Sequence, residues 1–91
     1  MERMKFNHEI SLTDIMPIGI RYYFDFENGY RASVIKTLYS QGGDQGLWEL
    51  AVFWEDKIYY EHPVLNGDVK GYLSDYEVAE LLYQIKNPNL S

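Results

Sequence analysis

Ninety-one residues without a single cysteine, 46% of them hydrophobic, carry a formal charge of −6. A chain of this length makes one domain that buries roughly 60% of its unfolded surface, and the missing thiols exclude disulfides, a cysteine nucleophile and thiolate zinc cages. No run approaches the roughly 20 apolar residues of a membrane span, and the N-terminus lacks the apolar stretch of a signal peptide, so the expectation is a soluble protein of a reducing compartment.

In chain order, Met4, Phe6, His8, Ile10 and Leu12 alternate with Lys5, Asn7, Glu9 and Ser11, the period-2 signature of a strand. Residues 1–17 are therefore read as an N-terminal strand or arm, which Pro17 ends. From Ile18 a second alternation sets Ile18, Ile20, Tyr22, Phe24 and Phe26 against Gly19, Arg21, Tyr23 and Asp25. Asn28-Gly29 marks a turn, and Tyr30, Ala32 and Val34 continue the pattern beyond it. A two-residue loop would set Phe24 opposite Ser33 and Phe26 opposite Arg31. A three-residue loop, Glu27-Asn28-Gly29, pairs Phe26 with Tyr30, Phe24 with Ala32 and Tyr22 with Val34, with Gly29 at a left-handed bulge position. The second register keeps apolar residues together and is the one expected.

Residues 40–46 read as a loop, without the Lys-Ser/Thr ending of a phosphate-binding loop. Residues 47–54 are nearly all apolar, as in a central strand covered on both faces. A three-residue connection, Glu55-Asp56-Lys57, would bring Trp54 opposite Ile58 and Val52 opposite Tyr60, with His62-Pro63 ending the strand and Asn66-Gly67 turning the chain again. Ser74 and Glu77 have capping-box spacing, and Leu73 with Val78 has that of a hydrophobic staple. Asp75 and Glu77 suit the positive end of the helix dipole. Val78, Leu81, Leu82 and Ile85 make one helical stripe, which Asn87-Pro88 stops. The expected fold is α+β: a four- or five-stranded, mainly antiparallel sheet over 18–73, with one C-terminal amphipathic helix, 74–87, packed on a face.

The run Gly46-Leu47-Trp48-Glu49-Leu50-Ala51-Val52, then His62-Pro63-Val64, then Asp68-Val69-Lys70-Gly71-Tyr72-Leu73 with Glu77-Val78 and Leu81-Leu82, resembles a group of small bacteriophage proteins. Those proteins pair a GLWEVAV-like strand with a DVxGWL(T/S)xxEV-like helix start. The resemblance implies a phage genome, and so the cytoplasm of an infected bacterial host, and it carries no activity with it.

Candidate chemistry is thin. His8 and His62 are too few for a three-histidine zinc site, and no residue pair has the makings of an activated nucleophile. Neither catalysis, a metal nor a cofactor is expected. Among the nine tyrosines and two tryptophans, Tyr23, Tyr39, Tyr59 and Trp48 fall on the face opposite the inward residues, and exposed aromatics on a sheet mark an interface. Charge adds to this: residues 44–80 hold nine acids against Lys57 and Lys70. Nucleic acid would need the opposite sign, whereas a basic protein surface fits. The candidate partner-binding residues are thus Trp48, Tyr23, Tyr39, Tyr59, Glu55, Asp56 and Glu61. The leading expectation is a non-enzymatic phage protein that occupies a macromolecular partner, such as an anti-CRISPR or anti-restriction inhibitor of host defence. The alternative is a structural or assembly accessory that self-associates, as a homodimer, through its aromatic sheet face.

Overall fold

The computed structural model describes residues 6–65 and 67–88. Strands β1 (Leu12–Met16), β2 (Gly19–Asp25), β3 (Tyr30–Thr37), β4 (Trp48–Trp54), β5 (Lys57–Ile58) and β6 (Lys70–Leu73) precede helix α1 (Asp75–Lys86). All pairings are antiparallel, in the order β1-β2-β3-β4-β5, and β6 shares the far edge of β4 with β5. The fold is α+β, with one face of the sheet under the helix. The short β5 takes the sheet to six strands, one beyond the expected upper count.

The first strand lies further along than the alternation of 4–12 implied. Phe6 and Asn7 both adopt left-handed backbone angles, φ 59° and 61°, which no strand tolerates. The gain that offsets this is burial: Phe6 makes edge contacts with Tyr22, Phe24 and Trp48. Positions 1–5 of the expected strand lie outside the described residues. Pro17 and Ile18 form the β1–β2 turn, so Pro17 does end a strand, that of Leu12–Met16.

The β2–β3 hairpin takes the three-residue loop. Tyr22 pairs with Val34 and Phe24 with Ala32, the Phe26 N–H donates to the Tyr30 carbonyl (2.9 Å), and Gly29 sits at φ 96°. The next hairpin departs from expectation. Trp54 pairs with Lys57 and Phe53 with Ile58, so the loop holds two residues, Glu55 and Asp56, at φ 53° and 67°. That is a primed turn, whose twist matches the flanking strands. Because β5 has only two residues, the apolar pairing of Trp54 with Ile58 carried too little weight to set the register. The strand also ends at Ile58 rather than at His62-Pro63. Residues 59–65 instead run through successive turns that drive Val64 and Leu65 into the core; Asn66 of the expected turn lies outside the described residues.

Helix α1 begins where its capping box requires. Ser74 Oγ accepts from the Glu77 N–H (3.2 Å) and Glu77 Oε1 from the Ser74 N–H (2.9 Å). Val78, Leu82 and Ile85 are fully buried and Leu81 packs at their margin. They meet Phe24, Ala32, Val34, Trp48, Leu50, Val52 and Leu73 from the sheet. Asn28 Nδ2 donates to the Ile85 carbonyl (2.8 Å), tying the β2–β3 loop to the helix end.

Candidate functional site

With the helix, Phe6, Val64 and Leu65 all packed in the core on one face, no described element lies over the other face of the sheet. Cross-strand register assembles its rows: Leu12, Tyr23, Ser33 and Ala51 form one, and Asp25, Arg31, Phe53 and Ile58 the next. At the end where the β2–β3 and β4–β5 turns lie, Tyr23, Asp25, Gly29, Arg31, Phe53, Glu55 and Asp56 line a hollow of about 410 Å³.

Each wall of the hollow has a physical origin. Arg31 stands opposite Asp25 and donates to it with both arms of its fork, Nε to Oδ1 (2.6 Å) and Nη2 to Oδ2 (3.1 Å). That contact holds the Asp25 carboxyl below the usual carboxylate range and raises the guanidinium further. The Arg31 guanidinium lies over the Tyr23 ring, 4.8 Å from its centroid. From the other side Arg21 Nη1 donates to the Tyr23 hydroxyl (2.9 Å). Tyr23 is thereby fixed, with its polar tip engaged. Glu55 and Asp56 form the rim, held there by the primed turn, and neither has an ion-pair partner among the described residues. Gly29 is required beneath it: besides its positive φ, a Cβ there would come within 2.7 Å of the Trp54 ring.

Of the candidate partner-binding residues, Tyr23, Glu55 and Asp56 come together here. The rest scatter. Trp48 corrects the expectation most sharply. It shares a face with Leu50 and Val52, is only 3% exposed, and donates its indole N–H to Asp75 Oδ1 (2.7 Å) beneath the Lys36 ammonium. It is a core residue and unavailable to a partner. Tyr59 turns to the helix side and stacks on Tyr30. Tyr39 is 83% exposed in the loop after β3, and Glu61 is exposed in the 59–68 loop; neither lines the hollow. Asp25, Arg31 and Phe53 were missed. The signal for Asp25 and Arg31 was present in the three-residue register of the β2–β3 loop, which places them opposite each other, whereas Phe53 is placed only by the β3–β4 register.

A second, larger hollow of about 690 Å³ lies between the N-terminal segment and the helix end. Several of its polar side chains are already engaged: His8 Nδ1 donates to the Phe6 carbonyl, Ser11 Oγ accepts from the Asp25 N–H, and Asn28 Nδ2 donates to the Ile85 carbonyl. Among the described residues no group of three or more His, Asp or Glu side chains is arranged to hold a metal, and no helix is long and apolar enough to cross a membrane. Compared with known proteins, the chain matches no family model, no curated protein and no solved structure.

Proposed function

We propose that this is a non-catalytic binding protein that seats the hollow and its acidic rim on a basic protein surface, in the manner of a small phage inhibitor occupying a host defence factor. The observation that carries the reading is the pair of rim carboxylates, Glu55 and Asp56, which make no ion-pair contact among the described residues, Asp56 lying only within electrostatic reach of Arg31, beside Phe53 and the doubly held Tyr23. Aromatic side chains bordered by carboxylates that make no ion-pair contact are what an interface for a basic surface presents before its partner arrives. The phage setting rests on the resemblance over 46–82 alone.

The experiment compares tagged parent protein with the Glu55→Lys/Asp56→Lys double variant as bait in bacterial lysate. A captured protein that the variant loses, while its melting temperature holds, supports the reading. Equal capture by both baits contradicts it. One observation favours a second reading, an assembly accessory that self-associates: Leu12 is half exposed on the same uncovered face, in register with Tyr23. Sedimentation at micromolar concentration separates the two, since self-association gives a dimer without any partner.

A further inference from the structure

The uncovered face is not the only unsatisfied surface; β1 also leaves backbone groups without a neighbour. In an antiparallel strand, alternate residues bond to opposite sides. The Phe26 N–H donates to Tyr30 and the Leu38 N–H to the Ile18 carbonyl, so the even-numbered residues of β2 bond toward β3. Its odd-numbered residues, Gly19, Arg21 and Tyr23, therefore bond toward β1, where they pair with Met16, Asp14 and Leu12. Among the described residues, Thr13 and Ile15 are left with N–H and carbonyl groups facing outward and no strand beside them, four backbone groups on an open edge.

Sheet edges are ordinarily protected by shortness, bulges, proline or lysine. The opposite edge follows that rule: β5 has two residues, and β6 carries a register shift against β4 and a left-handed Tyr72 whose N–H is taken by the Gln41 carbonyl (3.2 Å). β1 follows little of it, with Asp14 as its one charged side chain and Pro17 just beyond its end. It reads Leu-Thr-Asp-Ile-Met, with no lysine or proline, and Ile15 is 79% exposed beside the partly buried Ile20.

A second copy fits this edge badly. Three two-fold registers bring outward-bonding residues together. With Asp14 on the axis, Thr13 pairs with Ile15 twice, but the two Asp14 carboxylates face each other at the closest cross-strand spacing. With Ile15 on the axis, Thr13 falls opposite Pro17, which has no N–H to donate. With Thr13 on the axis, Ile15 falls opposite Ser11, whose N–H is already donated to the Tyr23 carbonyl (2.8 Å). A foreign strand escapes all three conflicts and can place a cation opposite Asp14.

We propose that the β1 edge is a strand-addition site for an extended segment of another protein, running antiparallel, with apolar residues opposite Thr13 and Ile15 and a basic residue opposite Asp14. The incoming apolar side chains cover Ile15 and extend the core side of the sheet; the basic one adds to the uncovered face. This surface is separate from the hollow and does not depend on its reading.

The probe is the peptide acetyl-Thr-Val-Lys-Val-Thr-amide, titrated into the isotope-labelled chain while amide NMR signals are followed. The Thr13 and Ile15 amides should shift and become protected from solvent exchange. Replacing the peptide lysine by glutamate should weaken binding roughly fivefold, the swing from an opposite to a like cross-strand charge. Thr13→Pro and Ile15→Lys should each abolish binding while the remaining spectrum stays folded, because neither touches the β1–β2 ladder. The Glu55→Lys/Asp56→Lys variant should bind the peptide unchanged, which keeps this test separate from that of the hollow. Saturating peptide that leaves Thr13 and Ile15 unmoved overturns the proposal. So does a peptide-free dimer in which those two amides are protected, since the occupant is then a second copy.

Discussion

Trp48 offers the sharpest test of how sheet and helix are joined. Its indole N–H reaches Asp75, the first residue of α1, at 2.7 Å, while its ring packs edge-on against Phe6 with centroids 5.2 Å apart. Trp48→Phe keeps most of the apolar burial but removes the donor and leaves a small void. A hydrogen bond to a charged group contributes about 1.5–3 kcal/mol, and because Asp75 is itself exposed the lower end applies. The void adds about 1 kcal/mol. The variant should thus lose roughly 2–3 kcal/mol, equivalent to a fall of about 10–20 °C in Tm for a domain of this size. Urea unfolding of Trp48→Phe, Asp75→Ala and the double variant isolates the pair, since any loss of helix-dipole stabilisation at Asp75 cancels in the cycle. A coupling of about 1–2 kcal/mol is expected. Additivity within about 0.5 kcal/mol would mean that the indole–carboxylate bond does not join helix to sheet.

Leu82→Ala should lose about 2–5 kcal/mol, because the side chain is fully enclosed between α1 and the sheet; a melting curve within a degree or two of the parent would place the helix off the core. Glu55→Asn/Asp56→Gly should raise stability by about 1 kcal/mol, since both positions have positive φ, while stripping the rim and with it any partner binding. His62 is 2% exposed, takes the Val64 N–H on Nδ1 (3.2 Å), and burial holds its imidazole below the ordinary 6.5. A base depressed in the fold leaves stability intact above pH 6.5 and erodes it as pH falls below that value. Urea midpoints measured from pH 7.5 downward should show this decline, and His62→Asn should lack it.

How much was legible in the sequence depended on how many residues voted for each feature. The helix declared itself through five independent signals, Ser74, Glu77, Val78, Leu82 and Asn87, and its limits follow them. The β2–β3 register rested on three apolar pairs and held. The β4–β5 register rested on Trp54 and Ile58 alone, and turn twist overrode it. Trp48 was misplaced because a strand apolar on both sides has no visible inner face; only the partner register of β3 orients it. The hollow was half visible. Glu55 and Asp56 were recognisable as turn acids, but their approach to Tyr23 and Phe53 needed the neighbouring hairpin to end alongside them. The open β1 edge was hidden because the alternation of 4–12 drew the strand too early, and nothing local announced the turn at Phe6 and Asn7.

The central claim is that Glu55 and Asp56 steer a basic partner onto the hollow. It is tested most directly by the association rate of the captured partner as ionic strength rises. If the rim steers, the parent's rate should fall steeply as the Debye length shrinks from roughly 30 Å at 0.01 M salt to roughly 8 Å at 0.15 M, and the Glu55→Lys/Asp56→Lys variant should associate more slowly at every salt concentration. Equal rates for parent and variant, flat with salt, would contradict the account and leave these carboxylates as no more than a solvated turn.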